Sequence, residues 1–392
     1  MITTAITESF VHAAAELEHT NRGVRPHRLP AWVRTRHPDS QLLAMEAQPS
    51  GVRLVFRTRS SKVELVTHSN RVSYAGIDRP RGRIDVFVDG ALVLRDELSA
   101  GDYAEVDLRS GSSSFHTGQP HTTAFELDPA GEKLVEIWLA HNESLELCTL
   151  RSDAPLLAHE SSEPLWLHHG SSISHGSNAA APSEIWPVVA ARRAGVSVRN
   201  LGLGGSALVD PFLARVMRDA PADAISVKLG INVVNLDLMR LRAFVPAVHG
   251  FLDTIREGHP ETPLLLVSPI FCGIHENTPG PGAFDPESFA AGTVRFVATG
   301  NPAYVSRGAL TLEVIRRELQ TIVEQRAGDQ NLHYLDGTEL YGEADAAVHP
   351  LADGLHPDTA THQLIGDRFA ALAFGAGRPL HSAGAVHNAA AI

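Results

Sequence analysis

A chain of 392 residues is long enough for two domains of ordinary size and for a sizeable buried core. Its composition, with 43% hydrophobic and 20% charged residues, excludes an intrinsically disordered chain, which would hold fewer apolar side chains and more charge. The formal net charge of −12 disfavours nucleic acid and anionic membranes as partners, because both repel an acidic protein, and favours a small molecule or a neutral polymer.

The amino-terminal segment MITTAITESFVHAAAELEHT lacks the positively charged start and the unbroken apolar stretch of a secretion signal. No later segment reaches the roughly 18 apolar residues that a membrane-spanning helix needs. Cys148 and Cys272 lie far apart in the sequence and fit neither a disulfide framework nor a zinc site. These features favour a cytoplasmic protein with free thiols.

Residues 28–155 show the period-two alternation that is typical of strands. It is clearest in SGVRLVFRTRSSKVELVTHS, GRIDVFVDGALVLRDEL and EKLVEIWLAHNESLELCTLRS. Asp89 and Gly90 stand between two apolar runs and predict a hairpin with a tight turn. We predict that residues 1–158 form an antiparallel β-sandwich of the jelly-roll type, similar to carbohydrate-binding modules.

From residue 159 the pattern changes to short apolar runs that alternate with longer helical segments, which indicates an α/β fold. The strand candidates are PLWLHH, VSVRNLG, ADAISVKLG, TPLLLVSPI and NLHYLDG. The helix candidates are residues 184–194, 209–219, 236–257, 310–325 and 359–374. Together they predict one parallel sheet with flanking helices over residues 159–376, followed by a tail at residues 377–392.

In open parallel sheets, ligands bind outside the carboxyl ends of the strands, so the residues after each run are candidates for a site. Ser172 follows the first run, Gly205 the second and Asn232 the third, and we expect them to face one crevice. Near the end of the chain, Asp353 precedes His356 by three residues, a spacing at which a carboxylate can orient an imidazole ring.

The long connection at residues 273–308 is rich in Pro, Gly and Asn and exceeds the length of an ordinary loop. One interpretation is a lid or substrate-shaping loop that excludes water and so favours transfer over hydrolysis. The other is an ordered excursion that packs on the N-terminal domain. Both fit the sequence equally well.

The residue types at the strand ends suit nucleophilic acyl transfer. A serine hydroxyl is a weak nucleophile, so Ser172 needs a general base within about 2.6–3.2 Å, and the base needs a partner that fixes its tautomer. His356 and Asp353 could supply both. Attack on an ester carbonyl places negative charge on oxygen, which nearby donors stabilise. The candidate donors are the backbone N–H groups of Ser172 and Gly205 and the side-chain amide of Asn232.

The blocks around these residues resemble those of the SGNH, or GDSL, hydrolases, and they occur in the order of that family. The resemblance covers residues 165–374. It implies a flavodoxin-like catalytic domain that needs no metal or bound cofactor. It also implies residue roles: nucleophile Ser172, general base His356, orienting acid Asp353, and oxyanion positions Gly205 and Asn232.

Two positions depart from the family pattern. Ser171 stands where the Gly-Asp-Ser-Leu block has Asp, and Val233 stands where the Gly-x-Asn-Asp block has a second acidic residue. Neither change removes a catalytic atom, but the nucleophile loop must be braced differently, and Ser174 or His175 could do that work. His175 and Trp186 are also candidates for the acyl pocket, although a place in the core is the simpler role for Trp186.

A β-sandwich ahead of an SGNH domain is the arrangement of a smaller subgroup, which includes sugar-ester deacetylases and a salicylyl acyltransferase of tetracycline biosynthesis. The GSSISHG loop and the LGIN variant look most similar to the last type. This resemblance implies transfer of an acyl group to a hydroxyl of a small molecule.

Simpler roles remain open for each candidate. Ser172 and Asn232 could be polar turn residues, and Gly205 could serve a turn that needs a positive φ. Asp353 and His356 could lie at the start of the last helix, where the helix dipole favours a carboxylate. A complete set of partners in the right order favours the catalytic interpretation over these roles.

A metal site formed by His168, His169 and His175 is disfavoured. Adjacent residues on a strand point to opposite faces, and the spacing fits no zinc pattern. The expected partners are therefore a small-molecule acyl donor, an ester or a thioester such as an acyl-CoA, and a hydroxyl acceptor. A carbohydrate or small-molecule O-acyl esterase is the first alternative, and a non-catalytic carbohydrate-binding protein with a degenerate hydrolase domain is the second.

Overall fold

The computed structural model describes residues 1–108 and 110–381, so the predicted tail lies outside the described residues from residue 382 onward. The chain divides into two compact units. The first comprises Met1–Ser162 and Ala180–Ser183, and the second comprises Glu163–Ala179 and the chain from Glu184 onward. The predicted domain boundary, between residues 158 and 159, lies four residues before the end of the first of these segments.

The first unit is built almost entirely of strands. Its elements are β1 (Ile2–Thr4), β2 (Val11–His12), β3 (Glu16–His19), β4 (Val24–His27), α1 (Ala31–Arg36), α2 (Ser40–Glu46), β5 (Arg53–Thr58), β6 (Lys62–Tyr74), β7 (Arg83–Val88), β8 (Ala91–Glu97), β9 (Asp102–Val106), β10 (Ser113–His116), β11 (His121–Glu126), β12 (Lys133–Trp138), β13 (Ser144–Ser152) and β14 (Leu156–Ala158).

These strands form two sheets. One has eight strands, in the order β10-β9-β6-β13-β4-β3, with β1 on β13 and β11 on β6; the other has six, in the order β14-β5-β12-β7-β8, with β2 on β5. Alternate side chains of both sheets, among them Leu54, Leu65, Val86 and Leu145, are fully buried in one apolar core. The predicted β-sandwich is thereby confirmed.

One strand pair departs from the predicted antiparallel pattern. The pairing of β6 with β9 is parallel. After β6 the chain crosses to the other sheet for the β7–β8 hairpin and then returns beside β6 in the same direction. The turn of that hairpin is Asp89-Gly90, with φ angles of 48° and 82°. Two positive φ angles are the mark of a type I′ turn, which matches the twist of the flanking strands.

The second unit contains the parallel sheet. Its strands are β15 (Leu165–Gly170), β16 (Ser197–Gly202), β17 (Ala224–Lys228), β18 (Leu264–Val267), β19 (Gly282–Phe284), β20 (Phe296–Ala298) and β21 (Leu332–Leu335). Its α-helices are α3 (Ser172–His175), α4 (Trp186–Ala194), α5 (Pro211–Asp219), α6 (Ile231–Asn235), α7 (Leu241–Gly258), α8 (Pro286–Ala290), α9 (Leu312–Gln325), α10 (Glu343–Val348) and α11 (Thr359–Phe369). Short 3₁₀ turns lie at Pro302–Arg307 and Gly337–Glu339, and α11 continues into a π-helical turn at Ala370–Phe374. A third 3₁₀ turn, Pro182–Glu184, has its first two residues in the first unit.

The five-stranded sheet has the order β16-β15-β17-β18-β21, with every neighbouring pair parallel. This order is that of a flavodoxin-like doubly wound sheet, as predicted, and its topological switch point lies at β15. Trp166 and His168 face α4 and α11 on one side of the sheet, while His169 stacks on Phe251 of α7 on the other. Because these strands are parallel, the carboxyl ends of β15, β16 and β17 lie at one edge of the sheet.

The predicted strands and helices of this unit agree with the structure to within a few residues, except that α7 begins at Leu241 rather than at residue 236. The long connection at residues 273–308 contains structure that the sequence did not predict. Strands β19 and β20 pair antiparallel in a small hairpin, with α8 between them. In the described part of the chain, no helix combines the length and apolarity required to span a membrane.

Candidate active site

The loop that holds Ser172 joins the carboxyl end of β15 to the first turn of α3. Ser171 caps this short helix, since its Oγ accepts a hydrogen bond of 3.4 Å from the backbone N–H of Ile173. Ser172 is the first helical residue, and only 8% of its surface is exposed. Because Asp and Ser are both favoured as helix caps, Ser171 can cap α3 as the Asp of the family pattern would.

Ser172, His356 and Asp353 form a continuous chain of hydrogen bonds. The Nδ1 atom of His356 lies 2.8 Å from Oδ2 of Asp353, and its Nε2 atom lies 2.9 Å from Oγ of Ser172. An ionised carboxylate can only accept, so Nδ1 carries the proton and Nε2 accepts the proton of the Ser172 hydroxyl. The histidine is therefore in the tautomer that a general base for Ser172 requires.

The carboxylate of Asp353 is held by several donors. Its Oδ1 accepts the backbone N–H groups of Leu355, at 2.9 Å, and His356, at 2.7 Å. Burial alone would raise the pKa of Asp353, but the hydrogen bond and charge of His356, with these backbone bonds, lower it below its ordinary value. Asp353 is therefore ionised at neutral pH.

A second side chain reaches the same carboxylate. The Nδ2 group of Asn178 donates to Oδ2 of Asp353 over 3.0 Å, the oxygen that also accepts from His356. Asn178 has a φ of 67°, in the left-handed region, where Asn is one of the few tolerated residues besides Gly. Nothing in the sequence pattern indicated this residue, because the two partners are 175 positions apart.

We expect Asn178→Gly to lower kcat/KM for p-nitrophenyl acetate several-fold, up to about tenfold, because the exposed hydrogen bond to Asp353 is worth about 1 kcal/mol. Glycine tolerates the left-handed backbone, so the variant removes the side chain without backbone strain. Asn178→Asp, which places a second carboxylate beside Asp353, should lower the rate further. Rates equal to wild type in both variants would show that Asn178 does not position Asp353.

Three groups at the strand ends have the chemistry of donors to an oxyanion. Within residues 1–108 and 110–381, the backbone N–H groups of Ser172 and Gly205 and the Nδ2 group of Asn232 have no hydrogen-bond acceptor. The backbone N–H of Ala207 donates to Oδ1 of Asn232 over 3.1 Å, so the amide orientation is fixed with Nδ2 left over. Gly205 has a φ of 69°, which a residue with a Cβ rarely adopts.

His168 braces the loop that holds Ser172 through a hydrogen bond to Ser174. Its Nε2 atom lies 2.8 Å from Oγ of Ser174, and its Nδ1 atom lies 2.7 Å from Oγ of Ser226. Ser226 Oγ also accepts the indole N–H of Trp166 over 2.8 Å. Burial, with smaller effects from His169 and Lys228, holds the pKa of His168 well below its ordinary value, so this ring is neutral.

We expect Ser174→Ala to lower the free energy of unfolding by about 1–3 kcal/mol, because it leaves a fully buried ring nitrogen of His168 without a partner. Urea unfolding followed by tryptophan fluorescence measures the change. Ser177→Ala is the matched control, since its hydroxyl makes no hydrogen bond to the described residues, and it should stay within about 0.5 kcal/mol of wild type. Equal stabilities of the two variants would contradict a bracing role.

The remaining predicted residues lie around this core. His175 is buried at the end of α3. Trp186 is fully buried and packs edge-on against His168, with ring centroids 4.7 Å apart, so it lies against the ring that holds Ser174. Val233 is fully buried in α6, where an apolar side chain fits and an unpaired carboxylate would not.

The hairpin of the long connection contacts His356 and Asp353. The ring of Phe296 meets that of His356 edge-on, with centroids 5.4 Å apart. The backbone N–H of Phe296 donates to the backbone oxygen of Asp353 over 2.7 Å. On the other side of this turn, the thiol of Cys272 donates to the backbone oxygen of Gly354, and burial raises the pKa of Cys272 to about 12.

In the described residues, no group of three or more His, Cys, Asp or Glu side chains is arranged to hold a metal ion. His168 and His169 lie on opposite faces of the sheet.

Comparison with known proteins gives two family matches. A model described as the GDSL-like lipase/acylhydrolase family matches residues 169–364. A model described as the SsfX3 N-terminal domain matches residues 9–147. No curated protein sequence matches the chain.

Solved structures resemble the chain over most of its length. The salicylyl-acyltransferase SsfX3 from a tetracycline biosynthetic pathway is 26% identical, with a TM-score of 0.76, over 94% of this chain and 95% of that one. A family two carbohydrate esterase from Cellvibrio japonicus is 14% identical, with a TM-score of 0.53, over 94% and 96%. The acetyl xylan esterase Est2A from Butyrivibrio proteoclasticus is 11% identical, with a TM-score of 0.50, over 94% and 97%. The similarity to these two esterases shows a shared fold.

Proposed function

The chain belongs to the GDSL-like lipase/acylhydrolase family, and from that premise we propose that it forms an acyl-enzyme on Ser172 and passes the acyl group to a hydroxyl of a small natural product. The observation that carries this proposal is the hydrogen-bond chain from Ser172 through His356 to Asp353. Family membership implies a small-molecule substrate and an SGNH-type enzyme, which removes the non-catalytic alternative.

The first half-reaction makes the acyl-enzyme. Oγ of Ser172 attacks the carbonyl carbon of an ester or thioester while its proton passes to Nε2 of His356. The negative charge on the carbonyl oxygen is stabilised by the N–H groups of Ser172 and Gly205 and by Nδ2 of Asn232, each worth about 2.7–4 kcal/mol. When the intermediate collapses, the leaving alcohol or thiol takes the proton from His356.

The second half-reaction returns the enzyme to its starting state. A hydroxyl acceptor gives its proton to Nε2 of His356 and attacks the acyl carbon, and Ser172 leaves with that proton. Transfer and hydrolysis differ only in whether an alcohol or water attacks. The likeness to a salicylyl-acyltransferase over both units favours transfer, with an acyl-CoA as a suitable donor. The scheme uses no metal or cofactor.

A carbohydrate O-acyl esterase is the second candidate, because two solved structures with the same fold over 94% of this chain are carbohydrate esterases. The predicted cytoplasmic location favours the transferase and stays a prediction.

The proposal is tested by trapping the acyl-enzyme. A fluorophosphonate should phosphonylate Ser172 once per chain as fluoride leaves, so the peptide that contains Ser172 gains the mass of the reagent less HF. Rapid acid quenching after mixing with p-nitrophenyl acetate should give an acetyl adduct on the same peptide. Ser177→Ala should label like wild type, which excludes a general effect of changes in this loop. Labelling of another residue, or equal labelling of Ser172→Ala, would refute the proposal.

A further inference from the structure

An aromatic row leads away from His356 along the hairpin of the long connection. Phe296 contacts His356, Phe284 lies opposite Phe296 in the antiparallel register with ring centroids 5.1 Å apart, and Phe289 lies 6.1 Å beyond Phe284. Phe284 is 40% exposed. We call Phe284, Phe289 and Phe296 the aromatic row.

The row is fixed to the catalytic turn. The backbone bond from Phe296 to Asp353 ties β20 to the residue that orients His356. The side chain of Asp285 caps α8 by accepting the N–H of Glu287, and the backbone N–H of Asp285 donates to the oxygen of Arg295, which closes the segment between β19 and β20. The three rings are therefore presented by an ordered segment.

The second half-reaction indicates which molecule lies beside the aromatic row. The attacking oxygen must come within hydrogen-bond distance of Nε2 of His356, about 2.6–3.2 Å, in order to give up its proton there. The body of the molecule that carries this oxygen then lies beside the groups that flank His356, and Phe296 is one of them. Aromatic rings add affinity for another flat ring beyond the area that is buried, whereas a water molecule gains nothing from them.

Resting on the proposed function, we infer that the aromatic row binds the acceptor, and that it selects hydroxyl compounds with a flat apolar ring over water and over non-planar alcohols of equal size. The acyl–oxygen bond to Ser172 breaks as the bond to the acceptor oxygen forms, and the acceptor's proton reaches Ser172 through His356. Partly exposed rings at this position are then explained, since a bound acceptor would cover them.

The test measures how the acetyl-enzyme partitions. The wild-type enzyme is incubated with p-nitrophenyl acetate and equal concentrations of benzyl alcohol and cyclohexylmethanol. The two acetate esters and free acetate are then quantified, and Ser172→Ala serves as the blank. Benzyl acetate should exceed cyclohexylmethyl acetate about 3- to 10-fold, the range expected for one added ring contact. Phe284→Leu keeps an apolar side chain without the ring, so it should bring the two esters close to equal amounts.

Phe284 is the informative position because its ring contacts Phe296 and not His356. A product ratio depends only on the acyl-enzyme, so a loss of folded protein does not alter it. Tyr304→Ala is the matched control: this ring is 45% exposed in the same connection, lies under Arg307 rather than in the row, and should leave the ratio unchanged. Equal esters from wild type, or a wild-type ratio in Phe284→Leu, would overturn the inference. Loss of Ser172-dependent p-nitrophenol release would instead overturn the proposed function, and this inference with it.

Discussion

Ser172→Ala is expected to lower kcat/KM for p-nitrophenyl acetate by on the order of 10⁴- to 10⁶-fold, the loss typical of removing a catalytic serine. Without Oγ, no acyl-enzyme can form, and His356 can at best activate a water molecule. Residual activity would come from the oxyanion donors and from binding alone. Initial rates of p-nitrophenol release, with the wild-type enzyme titrated by a fluorophosphonate, measure the change.

Two controls separate loss of the nucleophile from loss of the fold. Ser177→Ala changes a serine five residues further on and should keep the wild-type rate. Ser172→Ala should still unfold in one cooperative urea transition, because the alanine fits the first turn of α3, and the lost hydrogen bond to the buried Nε2 of His356 costs only about 1–3 kcal/mol. A Ser172→Ala enzyme with more than about a tenth of the wild-type rate would exclude Ser172 as the nucleophile.

The arrangement of the second unit could be predicted because its strands are continuous apolar runs. A strand buried on both faces needs apolar residues throughout, so LLLV and AISVK stand out from the amphipathic helices between them. Once the runs are taken as parallel strands, their carboxyl ends must share an edge, which brings Ser172, Gly205 and Asn232 together. The Asp353–His356 pair could be predicted from its spacing within one turn.

What could not be predicted depends on contacts between distant segments. The bond from Asn178 to Asp353 requires a left-handed residue in the loop after α3, and no local pattern marks such a residue when it is not glycine. The contact of Phe296 with His356 requires that the long connection fold into a hairpin, whose strands of three residues are too short for a period-two signal. For the same reason the sequence left open whether this connection acts as a lid.

The structure explains how the loop before α3 is held although Ser171 stands where the family has Asp. Ser171 keeps the helix cap, while the loop gains a second support from His168 through Ser174. The sequence named Ser174 as a candidate for this work but could not identify its partner, because His168 lies on the preceding strand and its orientation depends on Ser226 of the neighbouring strand. Of the adjacent histidines, His168 therefore has a structural role that the motif alone did not reveal.

Asp353→Asn is expected to lower kcat by on the order of 10⁴-fold while leaving KM nearly unchanged. The side-chain amide that this substitution introduces would donate to Nδ1 of His356, which would move the ring proton to Nε2 and leave no acceptor for the Ser172 hydroxyl. Asp358→Asn is the matched control, because Asp358 caps α11 through its side chain and asparagine caps equally well.

The same variant should change the pH dependence of stability. The pKa of Asp353 is lower in the folded protein than its ordinary value, so its ionised form stabilises the fold at every pH above its pKa in the unfolded chain. That contribution is lost as the pH falls through the lower, folded pKa, and Asp353→Asn has no such group to titrate. Between pH 7 and pH 3, wild type should therefore lose more unfolding free energy than Asp353→Asn, as measured by urea unfolding. An equal loss in the two proteins would show that His356 and the backbone donors do not hold the carboxylate of Asp353 in its ionised form. A kcat for Asp353→Asn within tenfold of wild type would show that the reaction does not depend on Asp353 fixing the tautomer of His356.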